Sequence, residues 1–266
     1  MIIDFHTHVF PDKIAVKTID YLAKKAGIPP FSDGTLDGLR DKLGAAGVDI
    51  AVTLPVLTSP EQFESVLRFA KSINLGEQDG VKLISFAGIH PECEDIKAKM
   101  RRIKDEGFLG VKIHPDYQGA YIDDDGYIEI LRCAKELDLI VVSHSGMDMA
   151  FPEVHCTPRR ALNLIEAVPG AKLVLAHMGA NSMEREVLER LAGCDVYFDT
   201  AYVLRFIGKD AFTAILDKHG ADKILFASDS PWSDIAKDVD IIKSFELDKE
   251  TEDKIFFKNA QRLLNL

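Results

Sequence analysis

Cysteine is scarce in this chain: Cys93, Cys133, Cys156 and Cys194 lie far apart, and no two form a Cys-x-x-Cys pair. That spacing excludes a disulfide scaffold and a thiolate zinc knuckle. No apolar run approaches the ~20 residues of a membrane-spanning helix, and no Ser/Gly-rich or low-complexity tract divides the sequence. The N-terminal MIIDFHTH has neither the basic segment nor the apolar core of a signal peptide, so a cytoplasmic location is expected. A long basic stretch is missing too: 32 Lys+Arg stand against 43 Asp+Glu, for a formal net charge of −11. Phosphate neutralisation needs clustered cations, so no nucleic acid and no membrane surface is expected as a partner. Small molecules remain. With 47% apolar residues among 266, a single domain spanning 1–266 is expected.

What is present is a rhythm. Short runs rich in Val, Ile, Leu and Phe, ending in a polar or ionisable residue, alternate with amphipathic stretches of helical period. The runs occupy residues 1–6, 48–54, 82–90, 109–114, 139–144, 172–177, 195–200 and 223–229. The helical stretches are 61–75, 94–106, 126–137, 158–167, 182–191, 206–219, 235–245 and 251–264, several introduced by a capping residue or Pro, as at Ser59-Pro60 and Thr157-Pro158. Residues 9–47 depart from the rhythm, with two helical patterns (about 12–26 and 35–46) around Ile28-Pro29-Pro30-Phe31. They read as an insertion after the first strand, over its end, in the manner of a lid. Repeated βα units of this length predict the α/β class and a (β/α)8 TIM barrel, whose reactive residues stand at the C-terminal strand ends. A doubly wound open sheet is the alternative.

The strand ends carry the chemistry. Asp4-Phe5-His6-Thr7-His8 closes the first strand, and strict alternation would put His6 and His8 on one face with Asp4 beneath them. Two imidazoles ~7 Å apart along a strand converge on one metal ion once the chain begins to turn. Most of the eight histidines flank an apolar run; His144 and His177 end the fifth and sixth. A lone strand-end His is an ordinary hydrogen-bonding group, but four in one barrel mouth make a ligand set. Asp229, in Phe226-Ala227-Ser228-Asp229-Ser230-Pro231, adds the carboxylate that suits Zn²⁺ and related ions. Its alternative role is a helix cap. Lys112 and His114 share a face of the fourth strand and point into the barrel, where an amine must be neutralised, paired or modified. His90, in a similar Ile-His-Pro setting, and His114 are expected as substrate contacts or second-layer groups. Tyr202 and Arg205, after the seventh strand, are candidate carboxylate binders.

The ordered series DFHTH, VKIHP, SHSG, AHMG and ASDSP resembles the amidohydrolase superfamily over nearly the whole chain. It is most similar to the amidohydrolase-related branch, which also contains lactonases and zinc-dependent nonoxidative decarboxylases. The resemblance implies a metal held by His6, His8 and Asp229. In single-metal members His144 is a further ligand and His177 bonds the reactive water or the substrate. VKIHP also resembles the motif of binuclear members such as dihydroorotase, where Lys112 would be carboxylated and bridge two ions, with His144 and His177 on the second. An unmodified Lys112 binding a substrate carboxylate is the competing reading. The cofactor is expected to be one or two Zn²⁺, with Mn²⁺, Fe²⁺ or Co²⁺ as substitutes, and relatives of this kind are often homo-oligomers.

A bound divalent ion makes hydroxide available near neutral pH and polarises a carbonyl. The leading expectation is therefore a metal-dependent hydrolase acting on an amide, ester or lactone of a small, carboxylate-bearing or cyclic substrate. Asp229 would be general base and His177 would stabilise the oxyanion. The alternative is a zinc-dependent nonoxidative decarboxylase of a small aromatic or unsaturated acid. A remote third is a barrel that binds metal or metabolite without turnover.

Overall fold

The computed structural model describes residues 1–74 and 80–266, with backbone alone at 76–78. In chain order the elements are β1 (Ile3–Thr7), α1 (Asp12–Ala26), α2 (Leu36–Ala46), β2 (Ile50–Thr53), α3 (Phe63–Ile73), β3 (Gly76–Gln78), β4 (Val81–Ser85) and β5 (Ala87–Gly88). There follow α4 (Ile96–Asp105), β6 (Gly110–Ile113), α5 (Pro115–Gln118), α6 (Asp125–Glu136), β7 (Ile140–Ser143), α7 (Pro158–Ala167), β8 (Leu173–Leu175) and α8 (Glu184–Arg190). The chain ends with β9 (Tyr197–Asp199), α9 (Leu204–His219), β10 (Ile224–Leu225), α10 (Ile235–Ser244), α11 (Lys249–Asp253), a π-helical turn (Lys254–Lys258) and α12 (Asn259–Leu264).

All eight expected strands form, and they pair as a ring. β1, β2 and β4 are parallel neighbours, and so are β5 to β10 in sequence order. β4 and β5 are halves of one strand interrupted at Phe86, whose N–H still donates to the Thr53 carbonyl at 3.0 Å. Backbone bonds join the first strand to the last: Phe5 N to Phe226 O (2.9 Å), Asp229 N to His6 O (2.8 Å) and His8 N to Ser230 O (2.7 Å). A ring in strict sequence order is a (β/α)8 barrel; an open doubly wound sheet would reverse order at a switch point.

Alternation builds two apolar layers. Val111, Val141, Leu175 and Phe198 face outward to the helices, while Phe5, Val52, Phe86, Val142, Val174 and Ala227 fill the barrel interior. Gly110 opens β6 because a Cβ there would lie 2.5 Å from the Ile140 carbonyl and from the Phe86 ring.

Departures from expectation are local. The helix expected over 61–75 stops at Ile73, and a short strand, β3, pairs antiparallel with β4; Leu75 lies outside the described residues. The helix expected over 251–264 is interrupted by the π turn, where the Ile255 carbonyl accepts the Phe226 N–H at 2.8 Å. That bond diverts the Phe226 N–H from β9, so the β9–β10 pairing ends at Leu225 and β10 is shorter than the run 223–229, although the Phe226 carbonyl still accepts from Phe5. The insertion forms as expected: Thr35 caps α2 by accepting the Gly38 N–H at 3.0 Å, and α1 and α2 end on left-handed Gly27 and Gly47. Among the described residues no helix is long and apolar enough to cross a membrane.

Candidate metal centre and cavity

The first strand does not alternate strictly. A register shift between Asp4 and Thr7 lets the adjacent Phe5 and His6 both face inward, Phe5 into the apolar layer and His6 into the layer above. Asp4 is therefore not beneath the histidines, as alternation had implied. Its buried carboxylate accepts the N–H of His6 (3.2 Å) and the N–H and Oγ–H of Ser228 (3.0 and 2.6 Å), which pins the irregularity to the last strand. Burial, only partly offset by these donors, pushes its pKa up to about 7.

Three imidazoles are oriented alike. His6 Nδ1 meets Asp199 Oδ2 at 2.9 Å, His8 Nδ1 meets the Leu54 carbonyl at 2.8 Å, and His177 Nδ1 meets the Ala201 carbonyl at 2.9 Å. A carbonyl can only accept, and so can an ionised carboxylate, so each Nδ1 carries the proton and each Nε2 keeps its lone pair. The Nε2 atoms of His6 and His8 are 3.1 Å apart, with Asp229 Oδ1 at 3.5 and 3.1 Å from them. Three acceptors at such separations repel unless a cation joins them, and ligand atoms ~3.0–3.4 Å apart suit bonds of ~2.1 Å. Burial, then the Lys112 charge, hold the His6 pKa well below its ordinary value. For Asp229 burial acts upward, but the imidazoles of His6 and His8 outweigh it and the net direction is down. His6 and Asp229 thus stay in their ligating forms.

His177 adjoins this triad, its ring 5.7 Å from that of His6, and its Nε2 meets His144 Nδ1 at 2.9 Å. His144 lies one imidazole further out, stacked on His114 at 4.1 Å with ring planes 7° apart. His114, His144 and Asp148 also cluster. Parallel rings in separate planes cannot aim both lone pairs at one ion, so that cluster is not a second metal site as arranged. Lys112 is fully buried and donates to His6 Nε2 at 3.0 Å; burial lowers its pKa to about 8, opposed by Asp199 and Asp229.

Of the expected substrate contacts, His114 and Tyr202 line the cavity above the triad, whereas His90 and Arg205 do not. His90 is turned away, accepting the Glu92 N–H at 3.2 Å. Arg205 sits behind Tyr202, over the rings of Tyr202, Phe206 and Phe31, and donates to the Trp232 carbonyl at 2.7 Å. It braces the insertion. Sequence reasoning missed Asp199, although it ends the seventh strand as Asp229 follows the eighth. It also missed Asp148 and Lys25, which lie outside the strand ends. The cavity itself, about 420 Å³, has the triad, His177 and Lys112 as its floor and Val9, Phe10, Leu22, Ile28, Leu54 and Trp232 among its walls.

A barrel with a prepared N/O donor set at its C-terminal strand ends, under a cavity of ligand size, is the architecture of a metal-dependent barrel enzyme. The chain belongs to the amidohydrolase family, whose sequence model matches residues 3–266. Solved structures of similar fold include a 5-carboxyvanillate decarboxylase from Sphingomonas paucimobilis (16% identity, TM-score 0.73, covering 100% of this chain and 99% of that one). Another is a dihydroxybenzoic acid decarboxylase from Polaromonas sp. JS666 with bound manganese and the inhibitor 2-nitroresorcinol (16%, 0.71, 100% and 97%). A third is an amidohydrolase II (18%, 0.77, 100% of both chains). No curated protein matches the chain in sequence.

Proposed function

We infer that this protein is a divalent-metal-dependent enzyme whose reaction is the nonoxidative decarboxylation of a small aromatic or unsaturated acid. The observation that carries the metal is the shared commitment of three Nδ1 atoms, which turns the Nε2 lone pairs of His6 and His8 toward Asp229, with the Lys112 ammonium now on that of His6. A carboxylate or carbonyl acceptor on the far nitrogen is the usual support of a metal-bound imidazole. His6, His8 and Asp229 would hold the ion, with His177 beside them. Zinc and manganese both suit an N/O set, and manganese is what the Polaromonas decarboxylase holds.

A divalent ion there supplies Lewis acidity toward the oxygen atoms of the acid. The chain's own groups do the rest. The apolar walls exclude water from a carboxylate that must leave as neutral CO₂. As the carbon–carboxylate bond breaks, its electron pair stays on carbon and takes up a proton. His177, at Nε2, and Asp229, at its carboxylate, are the groups beside the floor able to carry that proton. The names of the decarboxylases with this fold favour this reading over hydrolysis, the leading expectation from sequence.

Hydrolysis stays as the second reading, since the same Asp229 and His177 serve as general base and oxyanion partner. Metal-loaded protein is expected to release CO₂ from members of a panel of hydroxybenzoic and unsaturated acids, with His8→Ala and Asp229→Asn inactive. Incorporation of ¹⁸O from water into lactones or amides, with no acid yielding CO₂, would replace decarboxylation by hydrolysis.

A further inference from the structure

The cavity lining has two lysines, and they are placed very differently. Lys112 is on the floor, fully buried and bonded to His6. Lys25, in the last turn of the inserted helix α1, stands at the mouth. Its Nζ lies 3.7 Å from the centre of the Phe151 ring and 5.1 Å from that of Tyr117, so the side chain folds across the opening onto the loops after β7 and β6. Among the described residues it has no carboxylate within ion-pair distance, in a chain with 43 acidic residues. The helix dipole accounts for a cation in the last turn, and Lys24 serves it equally. It does not account for the inward fold.

Aromatic faces attract an ammonium but satisfy none of its three N–H donors as a carboxylate oxygen would. Lys25 is exposed to solvent at the mouth, so its donors are held there by the two rings and water alone, and an anionic group entering the cavity can take them in place of water. The acids of the lining are engaged elsewhere: Asp229 with His6 and His8, and Asp148, pushed up by burial, with His114 Nε2 at 3.5 Å. We propose that Lys25 selects substrates carrying a second anionic group, at the end remote from the metal centre. The ligand class is a compact, largely apolar acid with two anionic ends, one for the floor and one for Lys25. This deepens the metal-enzyme reading above and rests on it for the orientation of the ligand.

Trp232 is the chain's sole tryptophan and lines the cavity, so its fluorescence reports occupancy without turnover. Terephthalate and isophthalate are titrated against their monoamides and benzoate, with and without Mn²⁺, on the full chain. The dianions are expected to bind at least tenfold tighter than the monoamides. Lys25→Gln should bring them to the monoamide level and leave benzoate unchanged, while Lys25→Arg keeps the preference. Equal affinities in the wild type, no response to any probe, or an equal loss for every probe in Lys25→Gln would overturn the proposal; the last outcome would make Lys25 a brace for the lid. Failure of the metal reading looks different: no bound ion and no effect of Mn²⁺, with the dianion-to-monoamide ratio intact.

Discussion

Replacing Asp199 by Asn changes one proton acceptor into a donor at the point on which the proposed metal site depends. Asp199 Oδ1 accepts the backbone N–H of His177 at 2.9 Å and of Ala201 at 3.1 Å, and Oδ2 accepts His6 Nδ1–H at 2.9 Å. An Asn that keeps its oxygen on the two backbone donors presents its NH₂ to His6 Nδ1–H. The alternative flip leaves two buried N–H groups without an acceptor, at about 1–3 kcal/mol each, so the imidazole yields instead. Its proton moves to Nε2, the atom that faces His8 and Asp229, and the lone pair is lost to the ion. Second-layer changes of this kind cost roughly 10–100-fold in metal affinity, or about 1.4–2.7 kcal/mol, while the retained backbone bonds keep the fold. Competition with a chelating dye measures the affinity, and long-range ¹H–¹⁵N spectra of the imidazoles report the tautomer. Wild-type affinity in Asp199→Asn, with His6 still protonated at Nδ1, would refute the argument that Asp199 sets the ligand.

Three further outcomes are expected. Gly110→Ala forces a Cβ to within 2.5 Å of the Ile140 carbonyl and the Phe86 ring; overpacking of this sort costs about 1–3 kcal/mol, read as a lower urea midpoint at unchanged m-value. His219 stacks on Phe198 at 3.9 Å, and burial lowers its pKa from 6.5 to about 4. The unfolded chain therefore takes up a proton that the folded one refuses, so stability is full above pH 6.5 and falls by up to about 3 kcal/mol toward pH 4. His219→Phe should remove that part of the slope in pH-dependent denaturation, and an unaltered slope would acquit His219. Chelator dialysis should lower the melting temperature, because an ion that binds only the folded state stabilises it by mass action; an identical melting curve after re-addition of Zn²⁺ or Mn²⁺ would argue against a built site.

The barrel was legible because apolar runs of strand length and helical periods alternate along the chain, broken only by the insertion at 9–47, and each strand pairs with its neighbours in sequence. The site was legible where it falls on strand ends: His6, His8, His177 and Asp229 meet as their positions imply. Two kinds of information were not in the pattern. A register shift in β1 and the π turn under β10 are decided by partners far along the chain, Ser228 for Asp4 and Ile255 for Phe226. No period of two or 3.6 encodes them. Side-chain direction follows the same rule: His90, at the end of the third run, and Arg205 resemble ligand binders by composition, yet local donors and rings turn them away, while Lys25 lines the mouth from a helix that looks like ordinary surface.

The state of Lys112 separates the remaining chemistries. Its ammonium now takes the lone pair of His6 Nε2 that an ion would occupy, so loading the site must displace it. One divalent ion and that ammonium bring three positive charges to a floor whose nearest carboxylates, Asp199 and Asp229, supply two negative ones. One positive charge is left over in a buried place, and a monoanionic carboxylate is the ligand that cancels it. A carboxylated Lys112 reverses this count: with one ion the floor is negative and repels an acid, and only a second ion restores a positive site. Both states leave one positive charge: with a single ion and unmodified lysine an acid substrate would cancel it, whereas in a bridged pair a hydroxide would cancel it and would suit attack on a neutral bond. Lys112→Ala decides between them by elemental analysis. An unchanged ratio of one ion per chain, with weaker binding of benzoate reported by Trp232, is the expected result; a fall from two ions to one would establish the bridge and return hydrolysis to first place.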